Sequence, residues 1–373
     1  TRRFSMSKAA ELAALIANVN HGSSLANKNF IINGAMNVAQ RGTSATGKTS
    51  AGYYSADRWR LDISSAGTWT QIQSTDVPTG QGFSNSTKLD CTTADGSLGA
   101  SDRVFITQRI EDQNCVSSAK GTSDAKSLTA SFWVKSNKTG TYILELYDSH
   151  NSRHISKSYT ISSADTWEYK TITFAGDTTG AFANDNGIGF MLQFWLAAGS
   201  DYTSGTLATS WQASDNTDRA VGQLNLADST DNEWLLTGVQ LEIGEKATEF
   251  EVEPFSVTLQ KAQRYFCRTY TYGVATGTAT VLGAVVTQAE VTSSYSGAGT
   301  WEYPVEMRAA PTITIYSTQN ADTTAKITAD GTDGNGVTFG IGSQSVFLCR
   351  NNDGSGVAVN VFMKAHALAS AEL

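Results

Sequence analysis

Between Asn29 and Glu253 apolar residues recur with a period of two, in short runs separated by turn-forming residues. That is the pattern of half-buried β-strands, not of helices. Trp59, Leu61 and Ile63 alternate with Arg58, Arg60 and Asp62, and Val104, Ile106, Gln108 and Ile110 alternate with Phe105, Thr107 and Arg109. Leu128, Ala130, Phe132 and Val134 share one face, opposite Thr129, Ser131, Trp133 and Lys135. Tyr142, Leu144 and Leu146 follow the turn Asn137–Gly140, and Trp167–Phe174 is a further strand. Ile188–Leu196 is apolar on both faces, as a central strand is, and Trp234–Ile243 closes the set. No stretch of helical period intervenes, which excludes a parallel α/β sheet and predicts a jelly-roll β-sandwich.

Beyond a segment of helical-turn or linker character, Phe255–Arg264, shorter runs continue to Met363. They are punctuated by Asp-Gly and Asn-Gly pairs in Ala329–Gly336 and Asn351–Gly356, the strongest local signal for hairpins. The expected fold class is all-β: a jelly-roll β-sandwich over 29–254, a smaller C-terminal β-sandwich domain over 255–373, and a short N-terminal helix with its linker over 1–28. The helix is Ser7–Val19, rich in Ala, Leu and Glu and ended by Asn20-His21-Gly22. Ala9, Leu12, Ile16 and Val19 form an a/d seam about two heptads long. So short a helix must pack on something, either its own domain or copies of itself in a short parallel bundle. The second packing makes these four residues a trimerisation seam.

Composition narrows the class. Hydrophobic residues are 40% of the 373, enough for a core, while charged residues are only 17%. The net charge of −8 argues against a nucleic-acid partner. No apolar run is long enough to span a membrane, so no membrane insertion is expected. No basic n-region followed by an apolar h-region opens the chain, so no secretory signal peptide is expected. Cys91, Cys115, Cys267 and Cys349 are scattered without a CxxC pair; isolated, reduced, buried thiols are expected.

Several segments resemble a family of bacteriophage tail fibre and virion structural proteins. Asn29–Gly42, NFIINGAMNVAQRG, is similar to the family's opening strand, and it is followed by a Tyr-rich loop and an Asp-Arg-Trp motif at Asp57-Arg58-Trp59. Thr237–Gly244 with Ala247–Glu251 resembles the closing strand, and Gln263-Arg264-Tyr265-Phe266 the aromatic segment that follows. Pro304–Thr312 resembles a strand pair of phage fibre tips, and Ser370-Ala371-Glu372-Leu373 the family's C-termini. The resemblance spans 29–373. It implies jelly-roll modules like carbohydrate-binding modules, usually homotrimeric, that contact host-surface glycans. It also implies other virion proteins as partners and assembly into a virion after synthesis in the host cytoplasm. A structural capsid decoration or tail adaptor protein is the alternative, and a polysaccharide-degrading tailspike the third.

Catalytic signatures are missing: there is no GxSxG, P-loop, HExxH or GxGxxG, so no enzyme, cofactor or metal is expected. His150 and His154 have metal-compatible spacing but fall in a loop between strands, and the Asp-rich turns lack EF-hand order. Glu242, Glu245, Glu249, Glu251 and Glu253 cluster at a strand end and linker, where two facing carboxylates would be needed for glycoside cleavage. Aromatics are the better hint, because sugars stack on exposed Trp and Tyr faces. Trp133, Trp195 and Tyr147 fall on the polar faces of their strands, while Trp69 and Trp301 flank Gly-containing loops. Trp59, Trp167 and Trp234 share faces with apolar neighbours and read as core. The candidate ligand-binding residues are Trp133, Trp195 and Trp301.

Overall fold

The computed structural model describes residues 28–288, 295–329, 331–351 and 361–373. The seam Ala9, Leu12, Ile16 and Val19 lies outside the described residues. The protein is all-β. Thirteen strands occupy the first two thirds: β1 Ser44–Lys48, β2 Gly52–Tyr53, β3 Arg60–Ser64, β4 Thr68–Ser74, β5 Ser86–Thr93, β6 Arg103–Glu111, β7 Leu128–Ser136, β8 Gly140–Asp148, β9 Arg153–Ile161, β10 Glu168–Phe174, β11 Ile188–Ala198, β12 Gln212–Ala213 and β13 Glu233–Ile243. They form two antiparallel sheets of a jelly-roll-type sandwich. The six-stranded sheet has the order β1-β4-β5-β13-β7-β10 and the seven-stranded sheet the order β12-β9-β8-β11-β6-β3-β2. Their facing sides share one core that holds Trp59, Trp69, Trp234, Phe132, Phe174 and Phe194.

The predicted strands are present, with ends shifted by a residue or two. β1, β4, β5 and β9 are strands that the alternation did not single out. Asn29–Gly42 is not a strand: it is a looped segment pinned by side-chain amides, with Asn33 Nδ2 donating to Val38 O at 2.9 Å and Asp57 O at 3.0 Å.

A helix, Phe255–Gln263, leads into β14 Phe266–Arg268, β15 Val285–Gln288, β16 Tyr295–Glu302, β17 Thr312–Tyr316, β18 Lys326–Ala329, β19 Thr332–Phe339, β20 Ser345–Asn351 and β21 Phe362–Ser370. These build a third sheet around β21. The inward side of β21 is Ala365, Ala367 and Ala369, small residues that leave room for Trp301, Met307 and Ile315 to pack. The stretch Thr278–Gln288 is a strand only over its last four residues, and the final strand runs on to Ser370.

The last residues return to the sandwich. Arg58, 1% exposed, holds a left-handed backbone at φ 73°. Its guanidinium pairs with Glu372, donates to Arg109 O at 2.6 Å and lies 3.5 Å from the centre of the Tyr265 ring. Arg41 meets Glu372 at 3.1 Å and covers the Phe266 ring at 3.6 Å. Gln40 Nε2 bridges Asp57 Oδ2 (2.6 Å) and Phe266 O (2.7 Å). Arg264 chelates Glu111 at 2.8 and 2.9 Å, and Arg308 donates to Ala371 O at 2.8 Å.

Breaking a buried ion pair from one side strands the other charge, at a cost of about 3–5 kcal/mol. Glu372→Gln is expected to lower stability by that amount, read from the denaturant midpoint. The double change Arg58→Met with Glu372→Leu should cost less than the single one, because no charge is left buried. In the third sheet, burial pushes the His366 imidazole from 6.5 down to about 4. Its ring stacks on Tyr270 at 3.7 Å, and its nitrogens face Thr269 Oγ1 (2.9 Å) and Thr280 O (3.1 Å). The folded state therefore keeps His366 neutral where the unfolded chain protonates it. Its contribution is complete above pH 6.5 and is lost as pH falls toward 4. Urea midpoints across that range should fall less steeply for His366→Gln than for the wild type; equal slopes would refute the assignment.

Candidate functional site

The site is sought on the outward faces of the two sandwich sheets, where alternation places polar and aromatic residues away from the core. On the six-stranded sheet Trp133 stands directly opposite Tyr169 of β10 and Thr237 of β13. The Trp133 and Tyr169 ring centroids are 5.3 Å apart with planes at 48°. Trp133 is half-buried and Tyr169 is 46% exposed. Trp167, expected in the core, instead lies half-exposed at the head of β10. Its indole donates to Asp76 Oδ1 at 2.9 Å, and Asp76 also pairs with Lys135. Burial opposes ionisation of Asp76, but the bonds from Lys135 and Trp167 prevail and hold its pKa below the usual carboxylate range. The result is an exposed aromatic surface rimmed by fixed donors and acceptors. Toward the sheet centre this face is closed by the segment 75–85: Thr237 Oγ1 donates to Asn85 O at 2.7 Å. Phe83 lies over Gly238, where a Cβ would come within 2.6 Å of its ring.

On the seven-stranded sheet the cross-strand register aligns outward residues in rows. Arg60, Thr107, Gln193, Glu145 and Ser156 form one row. Arg109, Met191, Tyr147, His154 and Gln212 form the next. Trp195 points to this face, as its alternation predicts, yet it is fully buried. The segment 199–224 folds back over it, setting Tyr202 at 5.3 Å and the Arg219 guanidinium at 5.3 Å from its ring, while its indole donates to Glu145 Oε2 at 2.9 Å. The face was read correctly but the exposure was not. Trp301 is likewise interior, 9% exposed and edge-on to Tyr303 at 5.0 Å. Of the three predicted residues only Trp133 is presented to solvent; of the aromatics near it, Tyr169 is not singled out by the sequence reading and Trp167 is assigned there to the core. Their signal was present in the sequence: Tyr169 sits on the polar side of an alternating strand.

The remaining candidates have local partners. His154 is buried against Glu145 Oε1 at 3.1 Å and lies on β9, not in a loop, whereas His150 sits 3.6 Å from Asp112. The two do not converge. Around Glu145 burial is outweighed by Arg219 and His154, which hold the carboxyl below its ordinary range. Asp333, expected in an Asp-rich turn, lies on β19 and accepts from Thr328 at 2.7 Å, Asn320 at 2.7 Å and Ser317 at 2.9 Å, so its oxygens are committed to neutral donors. Glu242 accepts from Gln240 and from the Thr248 amide and hydroxyl, each at 2.8 Å. Glu253 pairs with Lys261. Among the described residues no group of three or more His, Cys, Asp or Glu is arranged to hold a metal. All four cysteines are free and buried, and burial pushes the Cys115 and Cys267 thiols up to about 12.

No family model matches this chain, and no curated protein matches it. Solved structures with a similar arrangement include the enzymatically active domain of tailspike protein 4 of bacteriophage CBA120. It is 13% identical over 58% of this chain and 22% of that one, with a TM-score of 0.30. The family 11 carbohydrate-binding module of Clostridium thermocellum, in complex with a β-1,3-1,4-mixed-linked tetrasaccharide, is 10% identical over 55% of this chain and 98% of the module, with a TM-score of 0.29. The TmCBM61 module with β-1,4-galactotriose is 9% identical over 58% of this chain and 100% of the module, with a TM-score of 0.29. No residue role is carried over from any of them.

The two tryptophans on outward faces are expected to behave differently. Trp195→Ala should cost about 3–5 kcal/mol, as a core truncation that also removes a donor from Glu145. Trp133→Ala should cost about 1 kcal/mol or less, as a surface change. Thermal unfolding of both variants checks this, and equal losses would mean that Trp133 is structural.

Proposed function

We propose that this chain is a bacteriophage virion protein, a trimeric tail fibre whose jelly roll recognises a glycan on the host surface. The observation that carries the reading is the exposed Trp133–Tyr169 pair with Trp167 beside it. A sugar ring has an apolar face and a polar rim. An aromatic surface edged by Lys135 and Asp76 matches both. The resemblance of 29–373 to phage fibre and virion proteins supports the biological setting. Each stacked ring contributes about 1 kcal/mol, so one copy binds weakly, and three copies on one fibre raise avidity. The role is binding; no reaction is proposed.

A second reading, a virion protein that chiefly joins other subunits, is favoured by Phe339 and Phe347. They are paired across β19 and β20 and are 49% and 38% exposed. Such exposed apolar surface fits a protein partner.

The glycan reading predicts that the purified chain binds host cells or extracted lipopolysaccharide. Trp133→Ala and Tyr169→Ala should each weaken binding by about fivefold or more while the melting temperature stays nearly constant. Undiminished binding in both variants would exclude this surface. Binding to host-free particles and not to host cells would favour the second reading.

A further inference from the structure

A lysine is buried at one end of the sandwich, where the connection from β6 to β7 meets the end of β8 and the connection from β10 to β11. Lys120 sits between two left-handed residues, Ala119 at φ 52° and Gly121 at φ 82°, and the Gly121 amide donates to Asp177 O at 2.8 Å. Its Nζ lies 2.5 Å from Asp148 Oδ2 and 3.2 Å from Asp177 Oδ2. It also donates to Thr179 O at 2.8 Å and Gly180 O at 2.7 Å. The rings of Phe182 and Trp211 flank the site, with centroids 5.4 and 5.6 Å from Nζ. The side chains of Lys120, Asp148 and Asp177 are 2%, 0% and 3% exposed. Arg153 grips Asp177 through Nε at 2.7 Å and Nη2 at 3.1 Å, so two cations face two carboxylates, with the reacting groups shielded from solvent.

An ammonium and a carboxylate that lose one water become an amide, and the step needs no oxidant and no net proton. A nitrogen 2.5 Å from a carboxylate oxygen lies roughly 3–3.5 Å from the carboxyl carbon, the separation of groups poised to react. Asp177 is a second carboxylate on the same nitrogen. Burial opposes its ionisation, but Arg153 and the Thr179 amide prevail and hold its pKa below the usual carboxylate range, so it starts as a base. The Asn151 main-chain N–H donates to Asp148 Oδ1 at 3.0 Å, where negative charge gathers when Cγ is attacked. The Asn151 side-chain amide donates to Oδ2, the departing oxygen, at 2.9 Å. We propose that Lys120 and Asp148 join in an isopeptide bond, with Asp177 as the proton carrier. Asp177 takes a proton from the ammonium and passes it to Asp148 Oδ2. The freed lone pair of Nζ attacks Cγ, and the C–O π pair moves to Oδ1. A second proton leaves the nitrogen through Asp177 to Oδ2, the C–Oδ2 bond breaks, and water departs as the carbonyl reforms. The product replaces a buried ion pair, which is costly to desolvate, with a neutral amide, and Asp177 stays paired with Arg153. The bond locks the β6–β7 connection onto β8 in a chain whose four cysteines are all free. It is independent of the glycan reading.

The test is mass spectrometry of the full chain, incubated in its folded state and then denatured. The wild type should be lighter than its sequence by one water, and protease digestion should yield a branched peptide in which Lys120 is linked to Asp148. Lys120→Arg, which keeps the charge and cannot form this amide, should show the full mass. The near-isosteric Asp177→Asn should keep the full mass or lose water at least tenfold more slowly. A wild-type chain at its full mass, with Lys120 and Asp148 in unbranched peptides, is a plain ion pair and overturns the proposal. So does a missing water without the branched peptide. Both outcomes are read on the wild type, so the test stands even if a variant fails to fold. Loss of water at the wild-type rate in Asp177→Asn would overturn the role assigned to Asp177.

Discussion

The buried ion pair between Arg58 and Glu372 is the interaction on which the arrangement of this chain depends. It joins a residue before β3 to the second-to-last residue of the sequence. Arg58 gives up hydration to take this position, and a left-handed backbone is uncommon for such a side chain. Both are tolerable because its two terminal nitrogens and its planar face are met by Glu372, the Arg109 carbonyl and the Tyr265 ring, while Nε is left without a partner. Gln40, Arg41, Asp57, Tyr265 and Phe266 gather around the same point. These residues lie in separate stretches of the chain, and together they fasten the third sheet to the sandwich. They build the frame and are not the surface that meets a ligand.

Both outward faces of the sandwich are partly roofed. The segment 75–85 covers the middle of the six-stranded sheet and the segment 199–224 much of the seven-stranded one. This is why β11 and β13 are buried along nearly their whole length. A roofed face behaves as a second, smaller core, with Trp195, Phe105 and Tyr202 packed together. Solvent reaches the parts the roofs leave open, and there Trp133 and Tyr169 stand.

The all-β class, the central strands β11 and β13 and most strand ends were legible in the sequence, because period-two alternation depends only on which side of a strand is buried. The buried, free cysteines followed from their isolation. The missed strands are those whose pattern is weak. β1, SATGK, is mostly exposed, and β5, STKLDCTT, ends in exposed threonines. The resemblance implied a strand at Asn29–Gly42, but Asn33 and Gly34 turn it.

What the sequence by itself determined was the face each residue occupies. Trp133 and Trp195 both belong outward, and both are there. Only the tertiary structure decided which of them meets water, because the segment 199–224 folds back over Trp195 while Trp133 is left partly open. Trp301 was settled the same way, by the alanines of β21 opening space for it across the third sheet. Exposure is a property of what packs on top, and no local pattern encodes that.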